Sequence, residues 1–109
     1  MNMTPRALRD CEDELHEAAR RETGFDDFGD PAYRDGLRVL LDAFDRDRQL
    51  TEPGRLATYQ RIAHALCGRL HVQKGLADHP GALAAPIDRP LVIAGFLRSG
   101  TTALHKYFP

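Results

Sequence analysis

The sequence predicts a mainly α chain, in which a helical lead-in over residues 1–89 runs into the first strand, loop and helix of an α/β core over residues 90–109. Three observations predict it. Apolar residues recur at spacings of three and four through the first 70 positions, the period of amphipathic helices. The period then changes to an unbroken apolar run, Leu91-Val92-Ile93-Ala94, as in a strand buried on both faces of a parallel sheet. That run opens on Gly95 and Gly100, a pair of glycines at phosphate-loop spacing.

Each element has its own signals. Thr4 followed by Pro5 makes an N-cap and first-turn pair, and Leu8, Cys11, Leu15 and Ala18 share one face of the helix that follows, with Gly24 as its stop. Asp30 and Pro31 repeat the start signal ahead of the stripe Tyr33, Leu37, Leu40, Leu41 and Phe44. Thr51, before Glu52-Pro53-Gly54, opens a third helix whose inner face is Leu56, Tyr59, Ile62, Ala63, Leu66 and Leu70. His79-Pro80-Gly81 breaks that helix, and Pro90 bars helix at the residue before it. After the glycine pair, Thr101 or Thr102 begins a helix through Leu104, His105 and Phe108.

Composition excludes several classes. The 109 residues allow a single domain, and a net charge of −1 lacks the positive excess of a nucleic-acid binder. Thirteen arginines against two lysines is a compositional bias, so Arg55, Arg61 and Arg69 read as a solvated face. Cys11 and Cys67 have no CxxC or Cys/His spacing, which leaves packed thiols as the reading in place of zinc or a disulfide scaffold. His64 and His71, seven apart, miss the i, i+4 spacing of a chelating pair, and Asp26, Asp27 and Asp30 lack a calcium loop's terminal Glu; no metal is expected. No apolar run reaches the roughly 18 residues of a membrane span, and the acidic amino end is unlike a signal peptide, so the expected location is cytoplasmic.

Chemistry concentrates in Gly95-Phe-Leu-Arg98-Ser99-Gly100-Thr101-Thr102. A strand turning sharply into a helix aims successive backbone N–H groups into one concavity, where they hold a phosphate or sulfate group. Nucleotide triphosphatases place Lys after the second glycine to reach the β and γ phosphates. Here that position is Thr101, which speaks against a P-loop kinase or ATPase. The cation stands instead at Arg98, whose guanidinium can grip an oxyanion with two prongs.

With these residues in view, Arg98-Ser99-Gly100-Thr101-Thr102 after an apolar run resembles the 5′-phosphosulfate-binding loop of sulfotransferases that use 3′-phosphoadenosine 5′-phosphosulfate (PAPS). The stretches Thr23 to Pro31, Arg34 to Leu37, His79-Pro80 and Pro90 to Ile93 resemble the helical lead-in of the bacterial branch. The resemblance implies a P-loop-like α/β sulfotransferase fold and transfer of a sulfuryl group from PAPS to an acceptor hydroxyl or amine, without metal. It implies that Ser99, Gly100, Thr101 and Thr102 donate hydrogen bonds to the donor's 5′-phosphate, and that Arg98 neutralises charge near the bridging oxygen. Leu97 stands where many relatives have Pro, and Arg98 where the cytosolic branch has Lys.

Residues 96–109 are too few for the crossover and second strand that a parallel neighbour needs. The chain therefore reads as an amino-terminal sulfotransferase fragment, with its general base and 3′-phosphate contacts beyond Pro109 and no turnover expected from it alone. The alternative is a small helical anion-binding or interaction module without catalysis.

Overall fold

The computed structural model describes residues 7–47 and 49–108. Among the described residues are four α-helices: α1 (Glu12–Thr23), α2 (Tyr33–Arg46), α3 (Glu52–Asp78) and α4 (Thr101–Tyr107). Single 3-10 turns precede α1 at Leu8–Asp10 and follow α3 at Pro80–Ala84. The predicted Thr4-Pro5 start lies outside the described residues.

The helix boundaries follow local chemistry. Gly24 ends α1 in the left-handed region, at φ 75°, where its amide reaches the Arg20 carbonyl, a conformation that a side chain disfavours. Thr51 caps α3 by accepting a hydrogen bond from the Gly54 amide at 3.1 Å. Asp30 accepts from the Ala32 amide at 2.9 Å. It therefore closes a turn ahead of α2, whose own N-cap is Ala32, two residues later than the expected start.

The core lies between α1, α2, α3 and the first 3-10 turn. Leu8, Leu15, Leu41 and Leu70 are fully buried, with Ala19, Leu37, Tyr59, Ile62, Leu66 and both cysteines packed around them. α1 lies along α3, while the Leu8–Asp10 turn fastens onto α2. Three refinements of the predicted faces follow from exact helix phase. Ala19 is fully buried where Ala18 was expected, and Leu40 and Leu56 lie at the rim, largely exposed.

The turn against α2 is held chiefly by Asp45, with Asp42 adding an ion pair to Arg9 at 3.5 Å. Asp45 accepts from the Leu8 and Arg9 amides at 2.8 Å each, from Arg9 Nε at 3.1 Å and from Arg55 Nη2 at 3.1 Å. Its side chain is only 4% exposed. Burial by itself pushes the carboxyl up; the two amides and two guanidiniums outweigh it and bring the pKa down to about 2.

Beyond Asp78 the chain leaves the core. The predicted strand at Leu91–Ala94 is corrected: among the described residues no segment forms a β ladder. A strand exists only through a partner's backbone, and no other described segment pairs with this one. Leu91, Val92 and Ala94 are correspondingly exposed, with Ile93 half-buried, and Phe96 at 91% and Leu97 at 97% are exposed too. The Cα radius of gyration is 18.1 Å, against about 13 Å for a compact domain of this length.

Candidate functional site

The glycine-bounded segment is a tight loop entering a helix. Ser99 Oγ donates to the Phe96 carbonyl at 2.6 Å, which folds the loop back over Gly95. A Cβ at Gly95 would stand 2.8 Å from Ser99 Oγ and 3.3 Å from Thr101 Cγ2, so the first glycine of the motif makes room for the loop's own closure. Arg98 takes φ 62° and Gly100 φ 90°. For glycine that region is free, whereas for arginine it carries a backbone cost.

Gly100 is the N-cap of α4, no side chain caps that end, and the first intrahelical bond runs from the Leu104 amide to the Gly100 carbonyl at 3.0 Å. Helix geometry therefore leaves the amides of Thr101, Thr102 and Ala103 without intrahelical partners. They border a concavity of about 490 Å³ lined by Arg98, Gly100, Thr101, Thr102, Ala103 and Lys106.

Four of the five residues singled out in the sequence, Arg98, Gly100, Thr101 and Thr102, are thus brought together. Ser99 belongs to the loop but is not part of this lining, and its hydroxyl proton is engaged by Phe96. Lys106, which sequence reasoning left without a role, joins the lining because it follows Thr102 by four residues and so shares its face of α4. Among the described residues the lining holds two cations and no carboxylate or imidazole. Such a surface can accept an anion; it offers no proton acceptor.

His105 does not line the concavity and is exposed, as are His64 and His71. Among the described residues no group of three or more His, Cys, Asp and Glu could hold a metal ion. No described helix is long and apolar enough to cross a membrane.

Comparison with solved structures gives a relative at 38% sequence identity and a TM-score of 0.83: sulfotransferase STF1 from Mycobacterium tuberculosis H37Rv, in its type 1 crystal form. This chain has the fold of part of a sulfotransferase. The alignment covers 92% of the chain and 28% of the mycobacterial sulfotransferase, so the chain spans less than a third of that protein's length. No family model matches the chain, and no curated protein matches it.

Proposed function

We propose that the chain supplies the phosphate-binding loop of a sulfotransferase that takes PAPS as its donor, with an acceptor hydroxyl or amine. The observation that carries this reading is the 38% identity to a mycobacterial sulfotransferase over 92% of the chain. The cationic, carboxylate-free lining around Arg98 and Lys106 fits a phosphate group and supports the same reading.

When bound, the donor contributes the sulfuryl group, and the work of this chain's residues is to hold the phosphate that departs from it. Negative charge grows on that phosphate as its bond to sulfur lengthens, so amides of Gly100, Thr101 and Thr102 and the Arg98 guanidinium bind the transition state more tightly than the ground state. The hydroxyls of Thr101 and Thr102 add donors. Ser99 contributes through its backbone amide, since its hydroxyl closes the loop.

A calorimetric titration of the 109-residue chain with adenosine 3′,5′-bisphosphate, and separately with adenosine 3′-phosphate, tests the assignment. The bisphosphate, which alone carries the 5′-phosphate, is expected to bind more tightly; equal affinities, or no binding of the bisphosphate, would overturn it. Because the lining holds no proton acceptor, we also expect no sulfuryl transfer from PAPS by the chain alone, and measurable product with a phenolic or alcohol acceptor would refute that part.

A further inference from the structure

α1 buries a histidine that the site described above does not use. His16 is 0% exposed, beside Leu15 on the inward face of α1. Its Nδ1 lies 2.7 Å from the Glu12 carbonyl. A carbonyl only accepts, so Nδ1 carries the proton and Nε2 is left as an acceptor. Tyr33 Oη, 2.6 Å away at the start of α2, donates to it.

The contacts continue into a closed circuit. The Arg69 guanidinium of α3 stands 4.0 Å over the Tyr33 ring, and its nitrogens donate to the Phe28 and Asp30 carbonyls. The Phe28 ring returns to His16, edge-on at 4.8 Å. The imidazole therefore links α1 to α2 and to the connection 24–32, and Arg69 joins these to α3. Within that connection, Asp27 and Asp30 are turned onto the Gly29 and Ala32 amides, and a Cβ at Gly29, φ 75°, would collide with Gln73 of α3.

We propose that His16 is a pH-operated latch: the neutral imidazole holds the connection 24–32 onto the three helices, and its protonation releases that connection. The hydrogen-bond arithmetic carries the step. A protonated Nε2 must donate to Tyr33 Oη, and the hydroxyl proton then loses its acceptor. The new positive charge is buried, with Arg20 of α1, Arg34 of α2 and Arg69 of α3 around the circuit. Glu12 is the carboxylate that faces it, and Glu12 is already shared with Arg38 at 2.9 Å and Arg34 at 3.7 Å.

Burial pushes the His16 pKa down, the Glu12 carbonyl opposes this, and Arg34 and Arg20 push it lower, against the Glu12 carboxylate. A folded pKa below the ordinary 6.5 means that the imidazole's contribution is whole above pH 6.5 and is lost as pH falls below that value. Release would also dismantle the concavity of about 330 Å³ that Phe25, Asp26 and Asp27 form with Gln73 and Lys74.

Imidazole NMR titration and amide hydrogen exchange on the complete chain test the latch. His16 is expected to titrate below 6.5. Protection of the 25–32 amides, corrected for the intrinsic exchange rate, should fall several-fold from pH 7 to pH 5 while α3 stays protected. A His16 pKa at or above 6.5, or flat protection of 25–32, would overturn the proposal. Tyr33→Phe removes one hydroxyl from the circuit; it should lower protection of 25–32 at pH 7 and blunt its pH dependence. An undiminished pH dependence in that variant would refute the latch as well.

Discussion

Asp45→Ala is expected to lower the unfolding free energy by about 3 kcal/mol, because the substitution strips partners from two amides and two guanidiniums at once. The wild-type carboxylate also predicts an acid limb. With its pKa near 2 in the folded chain and an ordinary value of 3.8, its contribution is whole above about pH 4 and is lost as pH falls through about 2, an effect of about 2 kcal/mol. Urea denaturation of both proteins between pH 2 and 7 measures both effects. A loss under 1 kcal/mol at pH 7, or equal acid limbs, would show that Asp45 does not hold the Leu8–Asp10 turn.

Arg98→Ala is expected to weaken adenosine 3′,5′-bisphosphate binding by about 10- to 100-fold, the loss of a charged hydrogen-bonding group being worth about 1.5–3 kcal/mol. Arg98 is exposed and touches none of the core, so urea unfolding should be nearly unchanged and the loss can be read as one of binding. Arg98→Lys keeps the charge but not the two-pronged donor, and should fall between the two. Equal affinity of wild type and Arg98→Ala, measured by calorimetry, would remove Arg98 from the site.

The helices were legible because their signals are local. Gly24 and Thr51 act within a turn of the helix they bound, and the Tyr33–Phe44 stripe repeats within a single element. What holds the elements together was not legible. Asp45 meets Leu8 and Arg9 across more than 35 residues, and the His16 circuit needs one residue from each of four segments; no spacing rule joins those positions. The apolar run at Leu91 misled in the other direction. Its composition fits a buried strand, but a ladder is a property of two backbones, and only one is described here. At the loop, the glycine spacing and Arg98 were visible, while the Ser99 bond to Phe96 and the entry of Lys106 depend on how the chain curls into α4.

The split between a packed part ending near Asp78 and an exposed remainder fixes how the chain melts. Only about seventy residues exchange apolar contact for water in a single cooperative event. The calorimetric enthalpy near 60 °C should therefore approach about 50 kcal/mol, where a fully packed chain of this length would absorb about 75. The denaturant slope shrinks in the same proportion, since it scales with newly wetted area. Thermodynamically, the glycine-bounded loop rides on a three-helix unit whose unfolding it barely influences.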